Sequence, residues 1–232
     1  MRLAACLIAL MLIAGCGETV HGASGARILL LGDSLMATHR AGGRAVANGI
    51  ETTLDEEVID RSVAGARYYY ILPISGSAGL KLRQQYVPGN WDWVVLNGGG
   101  NDLLFGCGCG ACTRQLDRLI ADDGRRGTIP GFVSRLRQGG ARVIYVGYLR
   151  TPGRNSPIEA CRDEGDTLDA RLTNLAALDA GVYFLPLGDL VPPGDLSYHM
   201  WDRIHPSTKA SAEIGARIAA IIARAEASAG AD

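Results

Sequence analysis

Five short runs of consecutive apolar residues punctuate the chain: Ile28-Leu29-Leu30-Leu31, the Val58-Ile59 pair within 57–60, Trp93-Val94-Val95-Leu96, Val143-Ile144-Tyr145-Val146 and Val182-Tyr183-Phe184-Leu185. They lack the in-out alternation of a half-solvated strand, which is the pattern of strands covered on both faces. Between them the apolar positions recur at helical spacing, predicting helices over 36–54, 78–86, 129–138, 166–179 and 208–226. In the last of these Ile214, Ile218, Ile221 and Ile222 share one face. Gly139-Gly140 supplies a helix stop ahead of the fourth strand. Strands alternating with helices predict an α/β fold, a three-layer α/β/α sandwich around a five-stranded parallel sheet. Right-handed crossovers then give the flavodoxin-like strand order 2-1-3-4-5. No repeat and no second boundary interrupts the pattern, so a single domain is expected over 27–228.

Composition narrows the partners. Of 232 residues 47% are hydrophobic and 20% charged, with a formal net charge of −1. That is enough apolar surface for a sizeable core and no basic excess to hold a phosphate backbone, so nucleic acid is excluded as a partner. The N-terminus reads as an address. Met1-Arg2 leads an uncharged run from Leu3 to Ala14, too short to cross a bilayer, and Ile13-Ala14-Gly15-Cys16 follows. Its small residues resemble a bacterial lipobox, which implies a signal peptide over 1–15, lipidation of Cys16 and a tether over 16–26. Ordinary cleavage near Ala23 is the alternative. Either way the expectation is an exported protein, anchored by lipid on the periplasmic side of the cell envelope or secreted. Cysteine usage agrees: Cys107, Cys109, Cys112 and Cys161 permit two disulfides in three connectivities. Cys109-x-x-Cys112 also has metal-ligand spacing, but an oxidising compartment favours disulfides. A bridge from the 107–112 cluster to Cys161 is expected to hold the loop bearing Asn101.

Ligands of open parallel sheets bind at the carboxyl ends of the strands. After the first predicted strand stands Gly32-Asp33-Ser34-Leu35, after the second Ser62-Val63-Ala64-Gly65, and after the third Gly99-Gly100-Asn101-Asp102. Asp202-Arg203-Ile204-His205-Pro206 precedes the last helix. A serine at a strand-to-helix turn can present its hydroxyl at the sheet edge, but it needs a base to take its proton. His205 is the candidate base, and Asp202 can orient it and stabilise its imidazolium. In the 2-1-3 order the loops after strands two and three flank strand one. An oxyanion hole from the backbone N–H groups of Ser34 and Gly65 and the side-chain amide of Asn101 is therefore expected. Asp33 and Asp102 are read as turn-supporting. His199 lacks an acidic residue three positions earlier, and His21 and His39 are read as exposed bystanders.

These four stretches resemble, in order, the four sequence blocks of the SGNH (GDSL) hydrolase family, the second most weakly. The resemblance covers about 27–226 and implies the same catalytic assignments and an acyl-Ser34 intermediate. It further implies action on carboxylic esters, thioesters, lysophospholipids or polysaccharide O-acetyl groups, with no metal or organic cofactor. The partner is then a small-molecule, glycan or lipid ester. An envelope acyltransferase using the same acyl-enzyme is the alternative, and a non-catalytic binding protein a weaker one. The Gly-x-Ser-x-Gly elbow is absent because Met36 holds the second glycine position, and Gly98-Gly99-Gly100 lacks a P-loop ending. The cysteine-rich 107–112 segment is no part of the family pattern. Leu103, Leu104, Phe105, Met200 and Trp201 are candidates for lining an acyl pocket.

Overall fold

Residue 29 faces one way and residue 30 the other along β1 (Ile28–Leu31), yet all four of its side chains are fully buried. The computed structural model describes residues 25–153 and 155–230. The expected signal segment 1–15 and Cys16 lie outside the described residues. The other strands are β2 (Val58–Asp60), β3 (Trp93–Leu96), β4 (Arg142–Val146) and β5 (Val182–Leu185). All pair parallel, in the order β2-β1-β3-β4-β5. Each expected strand is present within a residue or two at either end.

The helices are α1 (Ser34–Ala37), α2 (Val46–Leu54), the single turn α3 (Pro73–Ser75), α4 (Gly100–Cys107), α5 (Thr113–Leu119), α6 (Thr128–Gln138), α7 (Arg162–Ala176) and α8 (Thr208–Ala229). Ile28, Leu30, Val95 and Ile144 meet Met36, Val46, Ile50 and the Ile214-Ile218-Ile222 stripe of α8 on one face of the sheet. Leu29, Leu31, Val94, Val143 and Tyr145 meet Leu103, Phe132, Leu136, Leu168 and Leu172 on the other. On the first face α2 and α8 cross so closely that a Cβ at Gly215 would stand 2.6 Å from the Gly49 Cα. Only glycine permits that approach.

Two helix expectations are corrected. The stretch 36–54 is not continuous: α1 stops at Ala37 and a 3₁₀ turn spans Arg40–Gly42. His39 and Gly43, at φ of 69° and 63°, reverse the backbone before α2 begins. The stretch 78–86 is not an α-helix either, but a π turn over Gly76–Leu80 with Gly79 at φ 101°, followed by a 3₁₀ turn over Leu82–Gln84. Helices α4 and α5 were not anticipated.

Disulfides join Cys107 to Cys112 and Cys109 to Cys161. The second, with a sequence separation of 52, ties the end of α4 to the start of α7. Restricting so long a loop in the unfolded chain contributes about 4 kcal/mol, against about 2 kcal/mol for the short Cys107–Cys112 ring. Replacing Cys109 and Cys161 together by serine should therefore lower the unfolding free energy roughly twice as much as replacing Cys107 and Cys112. Denaturant midpoints of the two double variants check this.

Candidate active site

At the carboxyl end of β1 the chain is clamped before it turns. The Gly32 N–H donates to Gln85 Oε1 at 2.8 Å, and Gln85 Nε2 donates back to the Gly32 and Gly79 carbonyls, each at 2.9 Å. A Cβ at Gly32 would meet Met36 Cγ at 2.8 Å, so the turn requires glycine. Asp33 then caps α1, its Oδ1 accepting from Leu35 N–H at 3.0 Å. With the cap supplied by its neighbour, the half-buried Ser34 keeps its hydroxyl for other work.

The loops on either side are locked together. Gly65, at φ 81°, follows β2. Asn101 sits in the first turn of α4, where its Nδ2 donates to the Ala66 carbonyl at 3.2 Å and to Asp33 Oδ2 at 3.4 Å. The buried Asp102 carboxylate accepts from the N–H groups of Tyr68 and Tyr69 at 3.0 and 2.9 Å. It thereby fastens the segment after Gly65 to α4. Tyr148, just past β4, was missed by the sequence reading. It donates its hydroxyl to Asp33 Oδ2 at 2.5 Å and accepts from Gly100 N–H at 3.0 Å. A side chain at residue 100 would displace this ring, since its Cβ would lie 2.7 Å from Tyr148 Cζ.

The base candidate comes from a closed loop. His199 and Pro206 form an antiparallel bridge, reinforced by Met200 N–H donating to the His205 carbonyl at 2.8 Å and Ser207 N–H to the Tyr198 carbonyl at 2.9 Å. Inside it Asp202 Oδ1 accepts from the N–H groups of Ile204 and His205, each at 3.0 Å. His205 Nδ1–H donates to Asp202 Oδ2 at 2.6 Å. This bond fixes the tautomer and leaves Nε2 as an acceptor. Burial raises the Asp202 pKa, but the His205 hydrogen bond and the two backbone donors outweigh it and hold the carboxyl below its usual range. His39, read as an exposed bystander, is instead half-buried: its backbone is left-handed at φ 69°, and its Nε2 donates to the Pro206 carbonyl at 2.9 Å. His199 is buried away from the cavity, and burial pushes its pKa down.

Ser34, Asn101 and His205 line one cavity of about 110 Å³, together with Leu103, Leu104, Tyr148 and Ile204. Gly65 and Asp202 do not line it. The Ser34 hydroxyl and His205 share its wall without a direct hydrogen bond, a contact that tightens in many hydrolases only when substrate is bound. Of the expected apolar lining, Leu103 and Leu104 are present. Phe105, Met200 and Trp201 are not: Phe105 is 64% and Trp201 88% exposed.

The description GDSL-like Lipase/Acylhydrolase family fits residues 30–212. The chain belongs to that family. No curated relative matches the sequence. Among solved structures, this GDSL-like acylhydrolase is similar to the lipase Lip_vut3 from a goat rumen metagenome, at 16% identity and TM-score 0.57 over 84% of this chain and 96% of that one. It is also similar to Est24, a carbohydrate acetylesterase from Sinorhizobium meliloti, at 17% and 0.53 over 86% and 99%. A family two carbohydrate esterase from Clostridium thermocellum shares 17% at TM-score 0.54 over 85% of this chain and 63% of that one.

One carboxyl stands out in this esterase. Burial pushes the pKa of Asp33 up to about 6, against the hydrogen bonds from Tyr148 and Leu35 that favour its ionised form. An acid with a raised folded pKa binds its proton more tightly when folded, so its contribution to stability is lost as pH rises from about 4 to about 6. Asp33→Asn, which keeps the capping oxygen and cannot titrate, should gain on the wild type across that interval by up to about 3 kcal/mol. Denaturant unfolding of both proteins at pH 4 and pH 7 reads the change. A constant gap between them would contradict it.

Proposed function

We propose that the protein is a serine hydrolase that cleaves carboxylic ester, thioester or O-acetyl bonds through an acyl-Ser34 intermediate. The observation that carries this reading is the convergence of Ser34, Asn101 and the Asp202-anchored His205 around one cavity. In the first half-reaction His205 Nε2 takes the Ser34 proton as Oγ attacks the acyl carbon. The carbonyl oxygen, now an anion, is held by the Ser34 and Gly65 N–H groups and the Asn101 amide. His205 returns the proton to the departing alcohol or thiol. Water, deprotonated by the same imidazole, then releases the acid and restores Ser34. Asp202 stays ionised throughout and stabilises the imidazolium.

The two cystines support an oxidising compartment, in keeping with export to the cell envelope and with an anchor on Cys16. Lipid and glycan esters are the substrates to try, after the similar lipase and carbohydrate esterases. A fluorophosphonate probe tests the nucleophile: a single adduct on the Ser34 peptide, abolished in Ser34→Ala, is expected by mass spectrometry, and labelling elsewhere would overturn the assignment. Product analysis with an added sugar or lipid acceptor separates hydrolysis from acyl transfer.

A further inference from the structure

The cavity beside Ser34 is built from hydrocarbon. Leu103 and Leu104 of α4, Ile158, Leu168 of α7 and Ile204 form its walls, with Cys161 of the Cys109–Cys161 bridge beside them. Both arginines on its wall are engaged: Arg150 Nη2 meets Asp169 at 2.7 Å, its Nε meets Asp166 at 2.8 Å and its Nη1 donates to the Tyr148 carbonyl at 3.0 Å, while Arg162 Nη2 meets Glu159 at 3.2 Å. A sugar placed here would bury hydroxyls against leucine and isoleucine with few partners, at a cost that an alkyl chain avoids. The volume of about 110 Å³ is far more than an acetyl group fills. At 10–15 Å³ for each water-sized group it accepts roughly eight of them, a methylene being of similar bulk.

Which part of an ester enters is set by the order of events. The alcohol must leave past His205 before water can arrive, whereas the acyl group stays on Ser34 through the intermediate. An apolar pocket that shelters a chain suits the part that stays. We propose that this cavity is an acyl pocket for an unbranched aliphatic chain of about six to ten carbons, and that Gly165 sets its depth. The inference rests on Ser34 being the nucleophile. Gly165 lies on the cavity wall, on α7, and a Cβ there would stand 3.4 Å from the Arg150 guanidinium carbon. One added carbon is an ordinary contact. Anything longer must enter the cavity or displace Arg150 from its carboxylates.

The test is a series of p-nitrophenyl esters from acetate to laurate on the full chain. Each fully buried methylene favours binding about fourfold, and the cavity opens on one side, so kcat/KM for octanoate should exceed that for acetate by at least about tenfold. Gly165→Val and Leu104→Phe, on different helices, should each lower the octanoate-to-acetate ratio by about tenfold or more. Acetate as the best substrate, or a ratio unmoved in both variants, would overturn the pocket while fluorophosphonate labelling of Ser34 keeps the nucleophile intact. Failure of labelling together with failure on every ester would bring down both.

Discussion

Ser34→Ala and His205→Ala are each expected to cut kcat for ester hydrolysis by on the order of 10⁴- to 10⁶-fold, and the double variant to be no slower than the worse single one. Nucleophile and base act as a unit, so removing either forfeits most of what both supply. Neither change should disturb folding much. The Ser34 hydroxyl is not the helix cap, which Asp33 provides, and His205 is held in part by its own backbone N–H to Asp202. Circular-dichroism melting curves close to wild type, alongside collapsed turnover, are therefore the combined expectation. Residual rates within tenfold of wild type, or additive losses in the double variant, would sink the proposed roles.

Asn101→Ala should cost about 100- to 1,000-fold in kcat with little change in KM. Its amide carries two protons. One is directed at the Ala66 carbonyl at 3.2 Å, which positions the group. The other reaches Asp33 Oδ2 only at 3.4 Å, a weak bond that can be surrendered to an oxyanion as charge develops. Losing the Ala66 contact alone is worth about 1 kcal/mol of stability, far too little to explain such a drop. A steady-state comparison of kcat and KM separates the two effects: a rise confined to KM would assign Asn101 to substrate binding rather than to the oxyanion.

The five strands were readable because each is a short uninterrupted apolar run between turn residues, and their order follows from the handedness of crossovers. The 36–54 helix was misjudged because its apolar spacing continues across a break that only the left-handed backbone at His39 and Gly43 reveals. Helix α4 went unseen because its opening Gly100-Asn101-Asp102 reads locally as a turn. In the site, residues within one loop were legible: Asp202 and His205 are three positions apart and bond to one another. Tyr148 and Gln85 were not, since they act by reaching 115 and 53 positions along the chain to Asp33 and Gly32. The one signal for Tyr148 was its place just past the carboxyl end of β4.

The bridge between His199 and Pro206 turns the intervening residues into a staple whose two ends are already fastened. Because the imidazole and its carboxylate ride on that staple together, tilting it changes how closely the imidazole approaches Ser34 without changing which nitrogen bears the proton. Reach and tautomer are thus mechanically uncoupled. On the proposed mechanism, substitutions in the flanking segments would alter how readily Ser34 is engaged and leave the Asp202–His205 pair unchanged.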